Sequence, residues 1–564
     1  MARDLEMLHS SIQVITKTLQ IPPPGPLSSR QAPHTPTSEE HNHFDERVNG
    51  PSCDASPKIS PADENNLPKF PIQSVYHLTK LSALRSPDAS EMESSSKQDK
   101  NLIEDFISRG MISLGDAERL FHLYMKKLDH YMYRIGGQYE TLEELRRTSR
   151  ILTVSLLTVA ALHDRDGNAL YGVCSKEFRR LIAGSIFSRR IDHDYIRAMC
   201  IASYWLSDIN WTLSGYAIRR AAEFNLIGHF KRATTEGNDE AADFVRLWYI
   251  LYVCDQHLST LFGRQSIIRE DVAIQGWEAF LRMPITTESD KRLISQIALL
   301  NIMNKTREFF GPDNGELVPQ VYVMQIEGFA RQLDQWVGHW SVALAENHEH
   351  IGKFPRKGVL LHYHFARLHL YSHVFRGLRH VPIPVYFQTS AASAIVAATS
   401  IVNLLVTDPV LSTSIAGMPS YFHSMTAFAC MFLAKSAMIH GDELVERGIV
   451  FNLTTNLIQL YRSTSVSKFH LVKLMADGLE KMLQTLSSAS GPTLIQGQHV
   501  ADSPYHVDGA QEFTPFDRIG LPDDASLNLD PSFLMDYTLG ASQLMSLSNG
   551  PTVFDSSDLS PPFL

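Results

Sequence analysis

Four histidines have the spacing and the chemistry of metal ligands. They lie seven, four and seven residues apart, at His362, His369, His373 and His380, so one side of a helix could carry them. Histidines four residues apart on a helix can share one metal ion, but metalloproteases of that type have a glutamate directly after the first histidine, and His369 has none. Prolines soon after His380 indicate that the helix ends before it. We therefore expect partly buried or solvated histidines here and not a metal site.

Other motifs for catalysis or ligand binding are weak. Residues 164–168, Asp-Arg-Asp-Gly-Asn, are faintly similar to a calcium loop, but glycine occupies the fourth position and position twelve is Ser175 instead of glutamate. A polar turn between helices is the expected structure. The sequence has neither a glycine-rich phosphate loop nor a Gly-x-Ser-x-Gly nucleophile elbow. We therefore predict that the protein is not an enzyme.

The cysteines are arranged unlike zinc ligands. Cys53, Cys174, Cys200, Cys254 and Cys430 are far apart, and no Cys-x-x-Cys pair occurs. Zinc sites built from cysteine thiolates typically use such closely spaced pairs. An odd number of scattered cysteines suits reduced thiols in a cytosolic or nuclear protein. We expect no cofactor within this chain.

An acidic residue lies in the apolar stripe of a helix predicted between Val245 and Arg269. The apolar residues of this amphipathic segment recur at spacings of three, four and seven: Leu247, Trp248, Leu251, Tyr252, Leu258 and Phe262. Asp255 follows Trp248 by seven residues and therefore shares their face. Gly263 can adopt the left-handed conformation that ends a helix.

Asp255 needs a partner, because a charged carboxylate on a buried face is costly when it is unpaired. We predict an ion pair with Arg264, Arg246 or Arg219 that fixes the register of the helix. The alternative is that Asp255 takes part in sensing a ligand between helices.

Two sequence blocks resemble the central regulatory domain of fungal zinc-cluster transcription factors. The first block comprises Arg246, Leu247, Trp248, Tyr252, Asp255, Ser259, Gly263 and Arg264. The second, residues 213–223 with the sequence LSGYAIRRAAE, looks like the small-residue helix that precedes the first block in that family. The resemblance extends over about residues 101–487. It implies a nuclear regulator, commonly dimeric on paired DNA elements and usually an activator.

The same resemblance implies a zinc cluster of six cysteines, which this sequence lacks. Zinc is therefore expected only if a cluster lies upstream. Either the numbered sequence begins downstream of the cluster, or the protein acts without one. In the second case the protein would be an interaction protein or corepressor that dimerises with a full-length factor and reaches DNA only indirectly. An in-frame upstream exon with six cysteines would favour the first alternative.

Residues 1–20 carry a short apolar seam. Its members are spaced as in a coiled coil: Leu5, Leu8, Ile12, Ile15 and Leu19. They indicate either an ordinary amphipathic helix or the end of a dimerising coil, which in the resembling family follows the zinc cluster. Two heptads alone are too short for a stable dimer. Residues 21–100 are rich in proline, serine, asparagine and histidine, so we predict a disordered linker.

Helical patterns dominate residues 101–487, for which we predict an all-α fold, a large irregular helical array. One helix is predicted from Asp116 to Tyr133, and one from Thr141 to Leu162 with a capping box formed by Thr141 and Glu144. Further helices are predicted at residues 195–205, 290–309, 321–345, 359–376, 390–406, 420–440, 443–463 and 468–487. Residues 391–406 are apolar but too short and too polar for a membrane span, so we expect no membrane contact.

Residues 488–564 form an acidic tail of low complexity. From residue 501 onward there are ten acidic residues and one basic residue, so this part carries −9 of the net charge of −10. Acids alternate there with apolar residues that could fold on a coactivator groove: Phe533, Leu534, Met535, Tyr537 and Leu539. Such alternation is typical of disordered activation segments. With the family resemblance, it predicts a transcription regulator located in the nucleus.

Overall fold

The protein is an array of α-helices. The computed structural model describes residues 53–54, 104–137, 139–188, 190–378 and 381–488. Within these residues, the first eight helices are α1 (Leu114–Leu123), α2 (Leu142–Thr148), α3 (Arg150–His163), α4 (Asn168–Ser185), α5 (His193–Trp205), α6 (Asn210–Ala221), α7 (Leu226–Lys231) and α8 (Asp239–Phe262). The next five are α9 (Val272–Gln275), α10 (Trp277–Leu281), α11 (Glu288–Phe310), α12 (Val323–Ala343) and α13 (Phe354–Ser372). The last five are α14 (Gln388–Thr407), α15 (Pro409–Ser414), α16 (Ser420–Ile439), α17 (Arg447–Ser463) and α18 (Leu471–Ser488). The predicted all-α class is confirmed.

Helices α3 and α8 are buried on every side along most of their length, as is α5 over residues 195–205. All side chains of residues 152–163 in α3 and of residues 247–259 in α8 are buried. α3 packs against α1, α4 and α5, while α8 packs against α5, α6, α7 and α11. The prediction that α8 is amphipathic is therefore wrong over this stretch, because a helix that contacts neighbours all round has no solvent face.

The chain turns where periodicity predicts one helix over residues 116–133. After α1 follow a π-helical turn and a 3-10 turn, at Tyr124–Leu128 and Asp129–Met132. The buried carboxylate of Asp129 accepts a hydrogen bond from the backbone N–H of Gly136 at 2.8 Å. This contact holds the following loop against the end of the helix, so the predicted single helix is wrong here.

A serine divides the helix predicted from Thr141 to Leu162. Ser149 has extended backbone angles between α2 and α3, and its hydroxyl accepts from the N–H of Leu152 at 3.3 Å. Serine at such a position caps a new helix, so two helices replace the predicted one. The cap at the start is present, since the Thr141 hydroxyl accepts from the N–H of Glu144 at 3.2 Å.

The second half of the array is built around α13, α14 and α16. α13 packs against α12 and α14, α14 against α16 and α17, and both α16 and α17 against α18. Residues 385–407 and α16 are long and apolar enough to cross a membrane by length and composition alone. The apolar stretch predicted at residues 391–406 is therefore part of a longer helix, and the expectation that it makes no membrane contact stays a prediction. Several apolar side chains of α14, including Ala398, Ile401 and Val402, are buried in the array.

Within the described residues, β-structure is limited to a two-residue antiparallel pair, β1 (Cys53–Asp54) with β2 (Arg190–Ile191), and a bridge between His348 and Gly352. β1 lies in the segment for which a disordered linker is predicted. Apart from residues 53–54 and 488, the predictions for residues 1–20, 21–100 and 488–564 lie outside the described residues.

Four cysteines, Cys174, Cys200, Cys254 and Cys430, are buried free thiols. Burial raises the pKa of Cys174 and of Cys430 to about 12. These two thiols therefore stay protonated and unreactive at neutral pH. Residues 164–167 of the polar segment lie in the turn between α3 and α4, as predicted, and Asn168 begins α4.

Candidate functional site

The chain after α8 folds back along that helix, and Asp255 holds it there. We call residues 264–275 the return segment. The Asp255 carboxylate, 2% exposed, accepts hydrogen bonds from the backbone N–H groups of Ile267 and Ile268, both at 2.8 Å. Burial raises the pKa of Asp255, while these two N–H groups and the charge of Arg307 oppose the rise. Asp255 is therefore an anchor for the return segment.

The predicted ion pair between Asp255 and an arginine is wrong. Arg246 pairs instead with Asp290 of α11 at 2.9 Å. Arg264 is exposed and lies over a tryptophan ring, 4.9 Å from the ring centroid. Arg219 is exposed on α6. Two backbone N–H groups can stabilise a carboxylate as an arginine can, and they bring no second charge into the core.

Two further side chains of α8, Trp248 of the family motif and Tyr249 next to it, also fasten the return segment. The indole N–H of Trp248 donates to the carboxylate of Asp271 at 2.9 Å, and the other oxygen of Asp271 caps α9 by accepting from Ala273 and Ile274. The hydroxyl of Tyr249 donates to the carbonyl of Ala273 at 2.8 Å. Because these hydrogen bonds join α8 to the return segment, α8 determines where the chain re-enters the array.

A second set of contacts joins α8 to α11. The Tyr252 hydroxyl donates to Asn301 at 2.7 Å and accepts from the side-chain amide of Asn304 at 3.1 Å. The side-chain oxygen of Gln256 accepts from Arg307 at 2.8 Å. Leu247, also in the motif, is buried against its neighbours. These contacts support a scaffolding role for the motif residues.

Gly263 ends α8 with a φ of 60°, in the left-handed region. A residue with a Cβ is strained there, so we expect Gly263→Ala to lower the free energy of unfolding by about 1 kcal/mol. Gly263→Asn should lower it less, because asparagine tolerates this conformation better. Urea unfolding followed by tryptophan fluorescence measures both. Gly184→Ala is the control, since that glycine has open space around its Cβ position and no positive φ. Equal losses in Gly263→Ala and Gly184→Ala would contradict the prediction.

A narrow pocket lies where five segments converge. They are α5, α8, α11, the first half of α13 and the start of α16, together with the chain around Tyr131 and Tyr133 at the rim. The walls are largely aromatic, with Tyr204, Tyr421 and Phe422 among them. The cavity volume is about 30 Å³. That space suits waters or a small polar head group and is far below the size of a drug-like ligand site.

Arg292 lines this pocket as a buried guanidinium without an acidic partner. Its side chain is 6% exposed, and it donates to the backbone carbonyls of His130 and Tyr131. The ring of Tyr133 lies 4.5 Å from the guanidinium carbon, which adds a cation–π contact. Among the described carboxylates, none lies within ion-pair distance of Arg292. Burial lowers the pKa of Arg292, and the positive charge has no counter-charge in this part of the chain.

Three residues that line the pocket have a buried polar atom without a hydrogen-bond partner. These atoms are Nε of Arg292, Oε1 of Gln296 and Nδ1 of His257. Most buried polar atoms in proteins have a partner, so three around one pocket call for an explanation. The His257 ring stacks on Tyr421 with 3.7 Å between centroids, and burial lowers the pKa of His257. His257 is therefore neutral at pH 7.

The histidines that were candidate metal ligands do not converge on one site. His362 is buried and lines the pocket, while the rings of His369 and His373 lie 5.1 Å apart, edge to face. Within the described residues, no group of three or more histidine, cysteine or acidic side chains is arranged to bind a metal ion. His380 lies outside the described residues. So do the predicted dimer seam and activation segment: Leu5, Leu8, Ile12, Ile15, Leu19, Phe533, Leu534, Met535, Tyr537 and Leu539.

Arg292, Gln296 and His257 belong to no sequence motif that would mark them as functional residues. One signal was available, because Arg292 and Gln296 lie four residues apart and flank Leu293, Ile294 and Ser295 in an apolar stretch of α11. An arginine and a glutamine on one face of a predicted core helix indicate buried polar groups. Their convergence with His257 of α8 is a property of the tertiary structure.

Comparison with known proteins identifies the helical array. A family model described as the middle domain of the transcriptional activator of proteases prtT matches residues 110–484. Over 495 residues the chain is 32% identical to the transcriptional activator of proteases prtT of Emericella nidulans. That match covers 84% of this chain and 74% of the relative. The family prediction made from the two sequence blocks is confirmed, and the chain belongs to the prtT-like family of fungal transcription regulators.

Proposed function

We propose that this chain is a nuclear activator of RNA polymerase II transcription whose helical array controls an acidic C-terminal activation segment. The observation that carries the proposal is the match to a transcriptional activator over 84% of the chain. The name of that relative states that it activates proteases. Genes for proteases are therefore the targets that we propose for this chain.

The composition of the tail supports the activation segment. Ten acidic residues and one basic residue follow position 500, and apolar side chains alternate with them. Like charges keep the apolar groups solvated, and a partner with an apolar groove rimmed by basic residues could then bind them. We propose a coactivator as that partner, with Phe533, Leu534 and Tyr537 as contacts.

We propose that dimer formation and DNA binding involve the other end of the chain. The seam of residues 5–19 would pair two copies, or one copy with a related factor. We propose that direct contact with DNA requires a zinc cluster. The sequence has no paired cysteines that could form one. A chain without a cluster would act as the partner of a full-length factor.

A reporter assay tests the activation segment. Residues 501–564 fused to a foreign DNA-binding domain should activate a reporter gene, and replacing Phe533, Leu534 and Tyr537 together by alanine should return expression to background. Because Ser546 and Ser548 lie outside the apolar group, replacing them by alanine is the matched control and should leave activation intact.

Two outcomes would contradict the proposal. A silent fusion, expressed at the same level as the active control, would favour the interaction protein or corepressor. Equal activity of the triple variant and the serine control would show that the apolar residues are not the contacts.

A further inference from the structure

The titratable side chains that the structure describes around the guanidinium of Arg292 are uncharged at neutral pH. The titratable groups closest to its charge include His130, His348 and His362, and burial lowers the pKa of each of them. The phenol groups of Tyr131 and Tyr133 also stay neutral, since burial raises their pKa. A buried charge is usually paired, because its loss of hydration is otherwise uncompensated.

We propose that the pocket binds the carboxylate group of a small molecule, with Arg292 as its anchor. A guanidinium binds a carboxylate through paired hydrogen bonds, and Nε of Arg292 has no protein partner. One positive charge among neutral side chains matches a monoanion, whereas a phosphate group carries more than one negative charge at neutral pH. Oε1 of Gln296 would accept from a hydroxyl or amine next to the carboxylate, and Nδ1 of His257 supplies another polar contact.

The dimensions and walls of the pocket fit this class of ligand. About 30 Å³ of cavity holds one or two groups of the size of a water molecule, such as the two oxygens of a carboxylate. The flat rings of Tyr421 and Phe422 offer apolar surfaces for a short carbon chain attached to it. Binding of the carboxylate does not depend on the acidic tail. Only its consequence, that the ligand would act as an effector of the array, rests on the proposed function.

Thermal unfolding of the full-length protein tests the site without any measure of transcription. Acetate at about 100 mM should raise the midpoint by a few degrees relative to chloride at equal ionic strength, because a ligand that binds only the folded state stabilises it. Acetamide, the neutral isostere, should have no effect. An absent response to acetate, or an equal response to inorganic phosphate, would overturn the carboxylate assignment.

A variant with a built-in carboxylate tests whether the ligand binds next to Arg292. Gln296 is four residues from Arg292 on α11, so Gln296→Glu brings a carboxylate within reach of the guanidinium. We expect a higher midpoint without acetate and loss of the acetate response. Gln325→Glu, at an exposed position of α12, is the matched control and should retain the response.

A second variant guards against a folding defect in the first. Arg292→Met removes the charge and should also abolish the acetate response in a folded protein. A full acetate response in either pocket variant would overturn the proposal. These results are independent of the reporter assay, so failure of the site and failure of the activation segment can be told apart.

Discussion

Lowering the pH from about 7.5 to about 5.5 is expected to unfold the helical array. Burial lowers the pKa of seven histidines of the array far below their ordinary value: His163, His257, His362, His369, His373, His423 and His470. The value falls to about 4 for His163 and to about 3 for His423. In the unfolded chain each has a pKa of about 6.5, so the unfolded state binds more protons as the pH falls.

The sign and size follow from linkage. Stability from these groups is present above a pH of about 6.5 and is lost as the pH falls below it. Each histidine that stays neutral when folded should lower the free energy of unfolding by roughly 1.4 kcal/mol at a pH of about 5.5, and seven by roughly 10 kcal/mol. Asp129, whose pKa burial raises to about 6, opposes this by only about 1 kcal/mol. The net loss is comparable with the total stability of a typical domain, about 5–15 kcal/mol.

Circular dichroism and urea unfolding at each pH measure this loss. His369→Leu should reduce it by roughly 1.4 kcal/mol, and Nδ1 of His369 has no hydrogen bond to lose. His122→Leu, at an exposed position of α1, is the matched control and should leave the pH dependence unchanged. Equal urea midpoints for the wild type at both pH values would show that the buried histidines do not control acid stability.

Replacing Asp255 by alanine is expected to lower the free energy of unfolding by about 2–4 kcal/mol. A buried N–H left without a partner costs about 1–3 kcal/mol. The variant leaves one buried N–H, at Ile268, and one partly buried N–H, at Ile267. Part of that loss is offset, because the variant no longer buries a carboxylate. Asp255→Asn keeps an oxygen that can accept both bonds, so its loss should be below about 1 kcal/mol.

The two variants distinguish a backbone anchor from an ion pair. Arg264→Ala should change stability by less than about 1 kcal/mol, because Arg264 is exposed and contributes a surface cation–π contact. Limited proteolysis should also cut the return segment faster in Asp255→Ala than in the wild type. If Asp255→Asn and Arg264→Ala were both as unstable as Asp255→Ala, a charge pair would hold the segment instead.

The sequence predicts the fold class and most helices because periodicity and capping residues are local signals. The eight further helices predicted beyond residue 190 coincide with observed ones to within five residues at each end. Prediction fails where a polar side chain interrupts the pattern, as Ser149 does between α2 and α3. α4 is absent from the predicted helices, and its buried residues are few for its length, with Cys174 and Phe178 among them.

The candidate sites are harder to predict, because their partners are not marked by residue type. Asp255 is recognisable as a buried acid, but its donors are backbone N–H groups, which every residue except proline has. The arginines in the sequence therefore do not reveal how Asp255 is stabilised. The pocket around Arg292 joins segments that lie up to about 290 residues apart in the chain, from Tyr131 to Phe422. Local patterns contain no information on such convergence.

The anchoring of the return segment makes the length of the chain after α8 as important as its composition. Three residues separate Gly263 from Ile267. An insertion or deletion among them would move the N–H groups of Ile267 and Ile268 by more than 3 Å per residue in extended chain, beyond reach of the Asp255 carboxylate. Side chains in this stretch could vary freely as long as the spacing stayed the same. In relatives that retain the aspartate, gaps should therefore be rarer here than substitutions.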